Sequence, residues 1–155
     1  MKIVFLSAYS GVINRGVESW LHEVASRLAI HNEVTVFQIG SPTRNQNYDT
    51  KVINIDIKWD KKGGKLQKLF LQDPWSKMIK ELTNACADDI IRINPDVIIP
   101  LNGGYEPIIC KKLCHKLRAK MVCFSHFVDS TLFFYKPDLY ISLTPFQQKI
   151  ANLMF

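Results

Sequence analysis

The chain has 155 residues, of which 47% are hydrophobic and 22% charged, with a net charge of +6. That balance gives one domain with a proper core, excludes a disordered chain, and contains no apolar run approaching a membrane span. The amino terminus, Met-Lys followed at once by a β-branched run, does not have the pattern of a signal peptide, so cytoplasmic residence is expected.

Residues 3–6 form an apolar run that reads as a first strand. A loop follows, with isolated glycines at Gly11 and Gly16. Val17, Trp20, Leu21, Val24 and Leu28 then recur with helical spacing. A helix that starts at the carboxyl end of a first parallel strand offers unpaired N–H groups and a positive dipole end, a natural seat for a phosphate. The loop does not have the G-x-G-x-x-G of a tight dinucleotide turn, and no G-x-x-x-x-G-K-[ST] is present. Gly11 and Gly16 read equally well as residues that permit backbone turns.

Residues 33–39 and 51–57 have strand patterning and are separated by a polar loop. After a Gly-Gly break, residues 65–72 make a short basic amphipathic segment. Asp73 is a good N-cap and Pro74 suits the first helical position, so a long helix is expected from there to Ile93. Asn94-Pro95 ends it. A fourth strand spans 96–101 and is closed by Asn102-Gly103-Gly104. Pro107 opens another helix, which runs to Leu117. A fifth strand spans 120–125 and leads to His126, and a sixth spans 139–143. Thr144-Pro145-Phe146-Gln147 is a capping box with proline in the first turn.

Strands alternating with helices predict an α/β fold: a doubly wound, mostly parallel, Rossmann-like sheet of about six strands covered on both faces. Ligands in such sheets sit beyond the carboxyl ends of the strands. Three strand ends carry suitable chemistry: the Gly11–Gly16 loop, Asn102-Gly103-Gly104, and Ser125-His126. All three are expected to face one crevice. Each also has a plain reading, as a turn, a turn cap or a structural histidine.

Charge is uneven. Seven lysines lie between Lys58 and Lys80 against Asp60 and Asp73, and Lys111, Lys112, Lys116, Arg118 and Lys120 form a second cluster with no acid among them. Such clusters imply an anionic partner or a solvated face. In the first, Lys65, Lys68 and Lys77 interleave with Leu69, Phe70 and Trp75, a pattern suited to an anionic membrane surface. Cys86, Cys110, Cys114 and Cys123 all fall in apolar stretches and read as reduced, buried thiols. Cys110 and Cys114 are one helical turn apart, but no further ligands accompany them, so no metal site is expected.

In the order of these weak motifs, the whole chain resembles the N-terminal, acceptor-side domain of a GT-B glycosyltransferase, most of all the retaining family 4 (group 1) enzymes. The carriers of the resemblance are the Met-Lys-Ile first strand, Arg15-Gly16-Val17-Glu18 opening the first helix, the Glu33-Val34-Thr35-Val36-Phe37 strand, Pro95-Asp96-Val97-Ile98-Ile99, His126, and Ser142 before Thr144-Pro145. The resemblance implies transfer of a sugar from a nucleotide-diphosphate donor to an acceptor hydroxyl of a glycan or lipid-linked acceptor, in a cleft between two domains, without a cofactor or nucleic acid. Gly16, Val17 and Arg15 would approach the donor diphosphate. Gly11, Asn14, Asn102 and Gly103 would line the acceptor pocket. His126 would contact the sugar or orient the acceptor, and Glu18 would cap its own helix.

There are two departures from the family pattern. Arg15 stands where the first of paired glycines is expected, to add a cation or to block the approach. The C-terminal domain that holds the nucleotide sugar has no counterpart in residues 1–155, so the isolated domain is expected to be inactive. Peripheral attachment to the inner membrane face is a further expectation. The rivals to this reading are a self-contained nucleotide-binding α/β protein and a non-catalytic membrane- or partner-binding module.

Overall fold

The computed structural model describes residues 1–13, 15–56, 64–125 and 136–154. Six parallel strands, β1 (Lys2–Ser7), β2 (Glu33–Gln38), β3 (Asp49–Val52), β4 (Val97–Pro100), β5 (Lys120–Ser125) and β6 (Leu139–Ser142), form one sheet in the order β3-β2-β1-β4-β5-β6. This is the doubly wound Rossmann-like order. Its topological switch point lies between β1 and β4.

Successive strand residues point to opposite faces, and both faces are covered. Ile3 and Phe5 of β1, with Val34 and Val36 of β2, meet Leu21 and Ala25 of helix α1 (Gly16–Leu28). Val4 and Leu6 point the other way. They join Ile79 and Leu82 of α3 (Pro74–Ile93) and Cys110 and Leu113 of α4 (Tyr105–Leu117). Two elements complete the described chain: the short α2 (Lys65–Leu69) and α5 (Pro145–Met154).

Local sequence sets several of these boundaries. The Asp73 carboxylate accepts from the Ser76 N–H at 3.2 Å and from Ser76 Oγ at 2.6 Å, and Pro74 holds the first helical position. Asn94 ends the same helix in the left-handed conformation. Thr144 Oγ1 accepts from the Gln147 N–H at 3.2 Å, while Gln147 Oε1 accepts from the Leu143 N–H at 3.1 Å.

Two expectations need correction. The third strand occupies Asp49–Val52, not 51–57. It is an edge strand with β2 as its partner, and the ladder stops where Val52 meets Gln38 at the end of β2. Ile53 and Ile55 still pack on the core, which is why the apolar pattern continues past the strand. The helix expected from Pro107 begins two residues earlier, at Tyr105, because Gly104 at φ 67° serves as its N-cap. All four cysteines are free and buried. Burial pushes the Cys114 thiol up to about 12 and raises those of Cys86 and Cys110 as well.

Candidate functional site

The loop after β1 is tied down by its own hydrogen bonds. Ser7 Oγ and Ser10 Oγ are 2.7 Å apart, the Val12 and Ile13 N–H groups both donate to the Tyr9 carbonyl at 3.0 Å, and the Gly40 N–H donates to Ser10 O at 3.1 Å. Gly11 has φ 77°, and a Cβ there would lie 2.3 Å from the Ser41 carbonyl oxygen. A Cβ on Gly40 would meet the Gly11 carbonyl carbon at 2.1 Å. Gly11 is therefore explained by the close approach of two backbones. β2 ends in Gln38, whose amide donates to the Gly40 carbonyl at 2.7 Å. The acidic residue that holds a dinucleotide's ribose has no counterpart at this strand end.

Gly16 differs from Gly11. It is exposed at the first position of α1, it is not among the positive-φ glycines, and a Cβ built on it meets nothing within 4 Å. The fold does not require glycine there. Glu18, buried in the first turn, accepts from the Arg15 N–H and from Arg15 Nη2, each at 3.2 Å. It thus caps its own helix, as expected. The Arg15 guanidinium also lies 5.0 Å from the centre of the Tyr9 ring, and the side chain remains 52% exposed. Val17 packs its side chain against the core, so only its backbone N–H faces the helix end.

Across the switch point, the Leu101 N–H donates to Leu6 O at 3.1 Å, fixing the start of the β4–α4 loop. Asn102 turns back onto α4. Its N–H donates to Glu106 Oε2 at 2.6 Å and its Nδ2 to Glu106 Oε1 at 2.8 Å. Glu106 is fully buried, and a carboxylate in the first helical turn is favoured by the helix dipole. The side-chain amide of Asn102 thus supports the loop. Gly103 is buried beside it, and Gly104 needs its positive φ as well as the space taken by Trp75, whose ring is 3.3 Å from a Cβ built there. Trp75 also hydrogen-bonds the Tyr9 hydroxyl, whose pKa burial raises. One tryptophan therefore joins the two loops that flank the crevice.

Asn14 and His126 lie outside the described residues. β5, which precedes His126, ends at Ser125 beside β6 and on the same carboxyl edge. Ser142, at the end of β6, carries a buried hydroxyl with no hydrogen-bond partner, the one such side-chain atom among the described residues. Of the predicted site residues, Gly11, Arg15, Asn102 and Gly103 therefore occupy the two loops at the switch point, and Gly16 and Val17 begin α1 beside them.

Sequence reasoning missed a small polar cavity of about 30 Å³ between α1 and the loop after β2, lined by Ser10, Glu18, His22, Gln38, Arg44 and Tyr48 among others. His22 Nδ1 is 3.2 Å from the Tyr48 hydroxyl, and Arg44 Nη2 donates to Ser19 Oγ at 3.4 Å. This volume is of the order of a single water. The signal was His22, one turn after Glu18 on the same helix face.

The two basic clusters separate. The Lys111–Lys120 cluster is met by Asp138, which accepts from Lys111 Nζ at 3.3 Å, Lys120 Nζ at 3.2 Å and the Met121 N–H at 2.9 Å. Lys120 begins β5, so this cluster lies toward the amino edge, away from the crevice. Asp138, just before β6, thus brings an acid to two of the cluster's five cations.

A doubly wound parallel sheet with an exposed helix terminus beside its switch point defines a Rossmann-like domain. Among solved structures, the chain is similar to MurG from Acinetobacter baumannii, with a TM-score of 0.54 and 15% identity over 93% of this chain and 41% of that one. It is also similar to the apo form of the lipopolysaccharide outer core galactosyltransferase WaaB, with a TM-score of 0.48 and 18% identity over 97% of this chain and 42% of that one. Both are GT-B glycosyltransferases, and the likeness to MurG is one of fold. The chain spans about two-fifths of the length of either. No protein-family model matches the chain, and no curated protein matches its sequence. No helix among the described residues is long and apolar enough to cross a membrane.

Proposed function

We propose that this chain is the acceptor-side domain of a glycosyltransferase that moves a sugar from a nucleotide-diphosphate donor to an acceptor hydroxyl. The observation that carries the reading is the fold shared with MurG over 93% of the chain, with the α1 terminus opening at Gly16 beside the switch point. In the proposed reaction the acceptor oxygen bonds to the anomeric carbon, the bond from that carbon to the diphosphate oxygen breaks, and the acceptor proton passes to a base. Negative charge builds on the departing diphosphate. The N–H groups of Gly16 and Val17, with the α1 dipole, would face that charge, and the Arg15 guanidinium would supply a nearby cation. His126 would contact the sugar or orient the acceptor. Retention of configuration follows from the family 4 resemblance and belongs to the proposal.

One wall is not enough. A donor contributes on the order of 2.7–4 kcal/mol only in a water-excluded site, and a single open wall leaves the diphosphate in water. The proposal therefore requires a second domain that binds the nucleotide and closes the cleft. For the rival reading, a self-contained nucleotide-binding α/β protein, Gln38 at the end of β2 and the Gly11–Gly40 contact speak against a dinucleotide as its ligand.

The test is to incubate the natural full-length protein with a panel of nucleotide sugars and acceptors. Released nucleoside diphosphate and the anomeric configuration of the product are then measured. The reading expects diphosphate release coupled to a product of retained configuration, and a sharp loss of turnover in His126→Ala with the fold intact. Absence of transfer from every donor would overturn it. Inversion would overturn the family 4 assignment alone, and unchanged turnover in His126→Ala would return that residue to a structural role.

A further inference from the structure

Ten large hydrophobic side chains are well exposed among the described residues, and three of them fall within five positions: Leu66 at 72%, Leu69 at 72% and Phe70 at 67%. Single exposed leucines are ordinary, but a contiguous group is a patch. The spacing i, i+3, i+4 puts all three on one face of α2 and its C-cap. No residue of α2 is buried and none joins a core cluster, so most of this apolar face is open to solvent among the described residues.

The charge beside it in sequence is mostly basic. Lys65, Lys68, Lys77 and Lys80 are all exposed. Two acids lie between residues 64 and 81: Asp73, which is buried and bonded to Ser76, and the exposed Glu81, twelve residues beyond Leu69. In sequence, Lys61 and Lys62 extend the basic run upstream. The segment is anchored at its far end: Leu71, at φ 54°, turns the chain, and its Cδ2 lies 3.8 Å from a Cβ built on Gly104. That contact sets the patch at the carboxyl rim of the sheet, beside the β4–α4 loop. Trp75, counted with the apolar residues of this segment from sequence, packs instead against the core and Tyr9.

We propose that the Lys65–Phe70 segment docks on an anionic lipid bilayer, with Leu66, Leu69 and Phe70 entering the headgroup layer and Lys65 and Lys68 facing its negative charge. Only a partner that is anionic and also accepts apolar side chains matches both halves of the patch, and an anionic bilayer surface offers both. The inference stands apart from the sugar-transfer reading, since lipid binding is measured without any donor or acceptor.

The experiment is co-sedimentation of the protein with vesicles of phosphatidylcholine alone and of phosphatidylcholine with phosphatidylglycerol. A melting curve for each variant checks its fold. Pelleting is expected with the anionic vesicles, weakening as salt rises, and not with the neutral ones. The L66S/L69S/F70S variant should lose pelleting while melting normally, because these side chains support no core contact. K65A/K68A should weaken it by about thirtyfold, the attraction of two lysines at such a surface. Equal or negligible pelleting with both vesicle types would overturn the proposal. So would wild-type binding by L66S/L69S/F70S, or capture by polyglutamate beads without capture by vesicles, which would mark an acidic protein partner instead.

Discussion

Replacing Gly16 with alanine separates what the fold needs from what the proposed site needs. A Cβ at Gly16 meets nothing within 4 Å, and the residue is not in the positive-φ set, so alanine fits the backbone as it stands. Glycine to alanine at a compatible position stabilises by about 0.4–1 kcal/mol through the unfolded chain. For a chain of this length, 1 kcal/mol moves Tm by about 2–4 °C, so Gly16→Ala should raise Tm by about 1–4 °C. The added methyl would stand at the open end of α1, where the donor diphosphate is proposed to approach. Weakening one charge-assisted hydrogen bond, worth about 1.5–3 kcal/mol, should raise the donor KM about 10- to 100-fold. Calorimetric melting and steady-state kinetics of the full-length protein read the two effects separately. Gly11→Ala is the contrast: its Cβ would lie 2.3 Å from the Ser41 carbonyl oxygen, so it should destabilise strongly. A fall in Tm for Gly16→Ala would refute the local geometry. An unchanged donor KM would remove Gly16 from the site.

Other outcomes follow from the supporting contacts. Glu106→Ala leaves the Asn102 N–H and amide without their carboxylate acceptor and should cost about 1–3 kcal/mol for each stranded donor, read by urea denaturation; an unchanged midpoint would contradict the role given to Glu106. The Asp138 carboxyl is held below its ordinary value of 3.8, first by the Met121 N–H and then by Lys120 and Lys111. A lowered folded pKa means stabilisation present above the unfolded value and lost as pH falls through the folded one. The Tm gap between wild type and Asp138→Asn should therefore be widest near neutrality and close in acid below about pH 4; a gap that widens in acid would contradict the assignment. With all four thiols buried and that of Cys114 pushed up to about 12, alkylation at pH 8 should label the unfolded chain and spare the native one. Rapid native labelling would contradict that burial.

The fold was largely legible because each strand and helix carries its own period and punctuation. Asp73-Pro74, Asn94-Pro95 and Thr144-Pro145 mark boundaries that the structure keeps. The third strand was misplaced because Ile53 and Ile55 stay apolar after β2 has run out of partners, and an apolar pattern reports burial, not pairing. In the site, the loops were legible but the reasons for individual residues were not. Gly11 and Gly16 look alike in sequence, yet Gly40, far along the chain, explains one and nothing in the fold explains the other. Asn102 reads as a turn cap or a pocket residue until Glu106 is seen to accept from both its N–H and its amide. Lys111 and Lys120 look unpaired until the chain just before β6 brings Asp138 to them. Each of these distinctions depends on a tertiary neighbour that no local pattern encodes.

The central claim is that this domain supplies one wall of a two-walled sugar-transfer cleft. The most direct measurement compares nucleoside-diphosphate release, with donor and acceptor present, by the natural full-length protein and by a polypeptide of residues 1–155. The account predicts turnover by the full-length protein and millimolar donor affinity or none, without turnover, for residues 1–155. Sugar transfer by residues 1–155 alone would contradict it.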